Sequence, residues 1–186
     1  MEARHRDDGS RSLAEGAGDG DRGGCPASPT AVTVPSGAPK LFGERNGFVA
    51  TAIEREWRGI EALSGIPGSV GATPIQNVGA YGQEVAQTLW SVRTWDRHTN
   101  AYATFAVGDC GFGYRTSRFK SEPGRYVVLS VTYQFQQGDQ SMPIRFGELA
   151  TRLGVQAKGR APMTEVREAV LALRAGKGMV LDAADH

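Results

Sequence analysis

The sequence has almost no cysteine: Cys25 and Cys110 are the only two among 186 residues. Two distant cysteines exclude a disulfide framework and a clustered metal-ligand spacing. Long apolar runs are also missing; none approaches the roughly 20 residues of a bilayer-spanning helix. Charge of one sign is missing too. Lys and Arg total 21 against 20 Asp and Glu, a net charge of +1. That balance excludes a global field toward nucleic acid or an anionic membrane surface. The first residues carry charge with no apolar core behind them, so they do not form a secretory signal. The glycine-rich stretch Ser64–Glu84 is neither a P-loop nor the GxGxxG dinucleotide fingerprint. The expectation is a soluble protein of a reducing, cytoplasmic compartment, with no nucleic acid, membrane or protein partner indicated.

Composition divides the chain. Residues 1–46 hold eight glycines, four prolines and one aromatic, Phe42. Nothing there repeats at a period of 2 or 3.6, and so little apolar area does not offset the entropy of ordering. This stretch is expected to be a low-complexity segment, disordered or non-native. Within it "TAVTV" (Thr30–Val34) suits a short strand stopped by Pro35. Residues 47–160 are expected to form the main domain, and 161–186 a helix and linker.

"FVATAIEREW" places Phe48, Ala52, Ile53 and Trp57 on one helical face. "GQEVAQTL" suits a turn or two of helix. "LWSVRTWD" and "AYATFAV" suit two strands of a hairpin turned by "RHTN", and "GRYVVLSVTYQFQ" is the clearest strand. Pro143 is expected to open the next helix. A last helix starts near Thr164, buries Val166, Val170 and Leu173, and stops at Gly176. The fold class is α+β. Trp57, Trp90 and Trp95 read as packing residues, Cys110 as a small apolar residue and His98 as a solvated turn residue.

The most unusual stretch is "SGIPGSVGATPIQNVGAYGQE", Ser64–Glu84, with five glycines and two prolines. Glycines there either reach backbone angles closed to other residues in a tight crossover, or bare the main chain so that its N–H groups meet a ligand. Composition leaves both open.

This stretch resembles the signature of the UDP-N-acetylenolpyruvoylglucosamine reductase (MurB) family. "DCGFGYRTSRFK" (Asp109–Lys120) is similar to that family's F-x-Y-R-x-S segment. "RFGEL" (Arg145–Leu149) resembles its Tyr-x-Glu/Asp-Leu segment, and "VREAVLALRAGKGMVLD" the helix and basic turn before its last domain. The resemblance covers about Phe48 to the C-terminus. It implies an incomplete FAD-binding domain of the MurB/PCMH-like flavoprotein type, with FAD bound and NADPH as reductant. The implied reaction passes hydride through the flavin to the enolpyruvyl group of a UDP-sugar, in peptidoglycan synthesis.

The family's flavin loop maps onto Pro67, Gly68, Ser69, Gly71, Ala72, Asn77, Gly79 and Ala80. Its catalytic arginine maps onto Arg115, which from composition alone reads as a surface residue or a partner of Asp109. On the substrate side the resemblance implies Tyr81, Phe146 and Lys177, with Arg174 as a lesser candidate. Phe146 departs from the family's usual tyrosine and lacks its hydroxyl. Two family features have no counterpart here: a Gly-x-Gly-Ser-Asn loop for the FAD pyrophosphate, and the last domain's serine that protonates the intermediate, with the late glutamate that assists it. The expectation is therefore a fragment of the reductase, weakly active or inactive by itself. The alternative is a non-catalytic remnant with weak flavin or nucleotide binding, or none.

Overall fold

A computed structural model of the protein describes residues 29–38 and 44–180. In chain order the elements are β1 (Thr30–Pro35), α1 (Arg45–Glu54), β2 (Trp57–Arg58), a hairpin of β3 (Gly79–Ala80) and β4 (Gln83–Glu84), β5 (Leu89–Asp96), β6 (Ala101–Ala106), α2 (Arg118–Ser121), β7 (Tyr126–Gln137), α3 (Gly147–Arg152) and α4 (Met163–Ala175). The mixture of helices with an antiparallel sheet is α+β, as the order of expected helices and strands implied.

The frame is set by β7. Val131, Tyr133 and Phe135 recur at period two and turn to one face, where all are buried. β7 pairs antiparallel with β5 on one side and with β1 on the other, and β6 closes the far edge beside β5. α1 lies across the buried face: Phe48 sits 5.1 Å from the Tyr133 ring, and Trp57 of β2 stacks on Phe135 at 5.7 Å. A smaller core gathers Ile144, Leu149, Ala161, Val166 and Val170 between α3, α4 and the turn at Ala62.

Several elements differ from the sequence-based reading. The short strand expected at Thr30–Val34 forms, with Val34 in the main core, but it runs on through Pro35 as a full edge strand rather than stopping there. Pro35 fits because an edge strand tolerates a missing donor. Residues 1–28 and 39–43 of the low-complexity segment lie outside the described residues. α1 starts at Arg45 and ends at Glu54, so Trp57 is in a strand rather than on the helix. Glu56, at φ +57°, turns the chain between them. "GQEVAQTL" supplies β4 and a single tight turn.

Pro143 does not open a helix. Ile144 N–H donates to Gly159 O at 2.9 Å and Lys158 N–H to Ile144 O at 2.8 Å, which holds this segment extended. α3 begins only at Gly147. Trp90 is 56% exposed and is not a core residue. Gly176 keeps a right-handed conformation, and Gly178 at φ +65° makes the left-handed stop. No helix of the described residues is long and apolar enough to cross a membrane.

Candidate functional site

The β3–β4 hairpin is the centre of the site. Its two-residue turn, Tyr81–Gly82, has φ of +49° and +82°. Positive φ at both positions is a type I′ turn, which suits the right-handed twist of a hairpin. Glycine meets that demand at no cost, whereas tyrosine does not; a strained aromatic at a hairpin tip marks a place where the side chain matters.

One flank of the hairpin seats Arg115. The segment Gly113–Thr116 closes on itself, with Gly113 and Thr116 exchanging backbone bonds of 3.2 and 3.3 Å. Arg115 sits in that turn at φ +54°. Its guanidinium donates to Asn77 O at 3.2 Å and to Gly79 O. Tyr114, exposed, lies under its Cζ at 5.4 Å. Among the described residues Arg115 pairs with no carboxylate, Asp109 included. Its charge is thus fixed in place and still available to an anion.

Asn77 ties this flank together. Its Nδ2 donates to Glu84 Oε2 at 2.7 Å and to Gly113 O at 3.0 Å, and its Oδ1 accepts from Ala86 N–H at 3.2 Å. The amide is therefore engaged by protein and acts as a brace. Gly79 is equally constrained: a Cβ there would lie 3.0 Å from Arg115 Nη1 and closer still to Gln83 O.

The other flank and the tip gather the residues assigned to the substrate. Phe146 packs edge-on to Tyr81, with ring centroids 5.3 Å apart. Lys177 Nζ lies 6.0 Å from the Tyr81 ring and 2.7 Å from Glu148 Oε2. That carboxylate holds the Lys177 ammonium above its usual pKa. Arg174 turns away and donates to Met179 O.

Of the flavin-loop residues, Pro67, Gly68 and Ser69 are exposed, Ala72 and Ala80 are half-buried, and Gly71, Asn77 and Gly79 are buried. The bareness of Gly71 serves packing, since a Cβ would strike Ser36 at the end of β1. The solvent-facing strip Pro67–Ser69, with no side chain at Gly68, has the room a flat ring or a phosphate needs against main chain. Main chain is open to a ligand along this strip and closed to one at the buried Gly71 and Gly79.

Three residues escaped the sequence reading. Glu148 neutralises Lys177. Glu61, fully buried, accepts from Gly59 N–H at 2.6 Å, Gln83 Nε2 at 2.8 Å and Met142 N–H at 2.8 Å. Gln83 in turn accepts from Ala62 N–H at 2.7 Å. This network binds the hairpin to the segment that leads to Phe146. An acid inside the apolar run "GIEALSGI" was the one available signal. Arg45, the third, is buried against the Pro67–Ser69 strip. Among the described residues no cluster of metal-ligating side chains occurs.

No family model matches the chain. It is 61% identical over 139 residues to the UDP-N-acetylenolpyruvoylglucosamine reductase of Cutibacterium acnes, covering 75% of this chain and 37% of that protein. It is 55% identical over 139 residues to the enzyme of the same name from Streptomyces coelicolor, covering 74% of this chain and 36% of that protein. Among solved structures, UDP-N-acetylenolpyruvylglucosamine reductase (MurB) from Thermus caldophilus aligns with a TM-score of 0.49 at 23% identity, over 75% of this chain and 45% of that one. The chain spans well under half the length of the curated relatives it matches. By sequence it is therefore related, along about three quarters of its length, to one part of the UDP-N-acetylenolpyruvoylglucosamine reductases.

Proposed function

We propose that this chain is the flavin- and substrate-facing part of a UDP-N-acetylenolpyruvoylglucosamine reductase of cytoplasmic peptidoglycan synthesis, with FAD as bound cofactor and NADPH as reductant. The observation that supports it is the convergence of Arg115, Tyr81, Phe146 and Lys177 on one small hairpin. Pro67, Gly68 and Ser69 would hold the flavin, which supplies the redox chemistry when bound.

The chain's own residues supply binding and charge. Arg115, fixed by two carbonyls, meets the carboxylate of an enolpyruvyl group and the negative charge that develops beside it. Lys177 and the aromatic pair Tyr81–Phe146 receive the diphosphate and the uridine side of the substrate. The bonds that seat Arg115 and the edge-on contact of Tyr81 with Phe146 keep these groups preorganised rather than mobile.

A second reading, a remnant without flavin binding, draws on Gly71 and Gly79, whose open space is filled by protein atoms. One titration separates the two. FAD is added to the purified chain and its fluorescence followed. Saturable micromolar binding, about −8 kcal/mol, that is lost in Ser69→Glu supports the first reading; Ser69 is exposed, so the added carboxylate repels the ligand without disturbing the fold. No binding by the folded chain overturns it. UDP tests the substrate side: Phe146→Tyr, which adds a hydroxyl at a 42% exposed ring, should tighten UDP binding several-fold.

A further inference from the structure

Arg45 is the first residue of α1, and only 6% of its surface is exposed. A cation at a helix N-terminus opposes the helix dipole, and a buried guanidinium resists desolvation. The preceding residue, Glu44, is exposed and makes no capping bond. Among the described residues no carboxylate pairs with Arg45, and its Nε has no partner. Two unfavourable features at one residue call for a compensating role.

Its partners indicate that role. Arg45 Nη1 donates to Pro67 O at 2.8 Å, its backbone N–H to Gly68 O at 2.9 Å, and Nη2 to Ser69 O at 3.4 Å. Three successive carbonyls therefore turn inward to one residue. In a trans peptide the N–H lies opposite the C=O. The N–H groups of Gly68 and Ser69 accordingly turn outward, on a strip where both residues are exposed. Neither N–H has an acceptor among the described residues. Gly68 is held at φ +108°, and a Cβ there would press within 3.1 Å of Arg45 Nη2. A row of outward amides backed by a buried cation and a helix N-terminus attracts anions and electron-rich acceptors.

We propose that Arg45 is a positioning residue: it clasps the three carbonyls of Pro67, Gly68 and Ser69 and so presents the opposite amides to the acceptor groups of the flavin dinucleotide. The role rests on the flavin reading above. The shared chemistry is an acceptor oxygen or nitrogen, carried either by the ring or by the phosphates. Riboflavin and FAD distinguish them.

The test compares the full chain with Arg45→Met, which keeps length and loses the donors, and Arg45→Lys, which keeps the cation and loses the fork. FAD and riboflavin are titrated, thermal unfolding is measured, and amide hydrogen exchange is followed over residues 66–72. The expected result is FAD binding weakened about ten-fold or more in Arg45→Met and less in Arg45→Lys, with faster exchange in the loop. Equal weakening for riboflavin places the ring at the amides; weakening of FAD alone places the phosphates there. A merely structural role would lower the Tm and leave the affinity of the folded fraction unchanged, which overturns the proposal. If Arg45→Met does not fold, Arg45→Lys decides, and wild-type affinity in that variant overturns it. If Arg45→Met binds FAD as the wild type does, the positioning role fails alone. If the wild type binds no FAD, the flavin reading fails and the role falls with it.

Discussion

Gly79 shows how a single position can hold two parts of the site at once. Its carbonyl seats Arg115, and the space where a Cβ would stand is already occupied by Gln83 O and the arginine itself. Gly79→Ala should therefore destabilise the chain by about 1–3 kcal/mol, because backbone must move. It should also displace Arg115. Urea denaturation measures the first effect, and UDP-sugar affinity measures the second. Cys110 is the opposite case, a residue that packs and does nothing else. It is fully buried, its thiol donates to Ala106 O at 3.3 Å, and burial pushes its pKa up to about 11. The reactive species is the thiolate. Iodoacetamide at pH 8 should leave Cys110 unmodified in the native chain and label it in denaturant, as peptide mass spectrometry would record.

At the scale of elements, α3 and the turn after α4 meet through one ion pair. Glu148 in the first turn of α3 holds Lys177 at 2.7 Å, with both side chains 42% exposed. A pair this exposed is screened by solvent and adds little to stability. An incoming diphosphate competes with Glu148 for the same ammonium. Glu148→Gln should thus leave the unfolding midpoint almost unchanged and tighten UDP binding about two- to five-fold at low salt. Weaker binding in that variant would show that Glu148 orients Lys177 instead. The elements also show what a sequence makes legible. β5, β6 and β7 were readable because their apolar positions alternate and "RHTN" carries turn chemistry. Pro143 misled because first-turn prolines are common, while here tertiary pairing of Ile144 with Gly159 and Lys158 overrides local preference. Arg115, Tyr81, Phe146 and Lys177 were readable as motif members. Glu148 and Arg45 were not, since their meaning comes only from contacts across 29 residues in one case and 22 in the other.

At the scale of the whole molecule, buried titratable groups on the sheet link stability to pH. Thr73 Oγ1 donates to Val70 O, so the buried Tyr133 hydroxyl donates to Thr73 at 2.7 Å, tying the glycine-rich stretch to β7. Burial pushes the Tyr133 phenol up to about 12 from 10.0. Between those values the folded chain keeps a proton that the unfolded chain has released, so stability falls as pH rises through that window. The acid side is set by Asp96. Its carboxylate accepts from Arg125 Nη2 at 2.8 Å and Nε at 3.1 Å, and from His98 N–H at 2.9 Å. The Arg125 hydrogen bonds above all hold it at about 2, below its ordinary 3.8. In that interval the unfolded chain binds the proton and the folded chain does not. Stability from this pair is therefore full above pH 4 or so and is lost as pH falls toward about 2. The pair anchors the β5–β6 turn to the start of β7, far from the hairpin site. Asp96→Asn should accordingly flatten the acid limb of a plot of Tm against pH and leave the alkaline limb, which belongs to Tyr133, in place. Thermal unfolding from pH 2 to 12 checks both limbs in one series; an acid limb as steep in Asp96→Asn as in the wild type would assign acid sensitivity to other carboxylates.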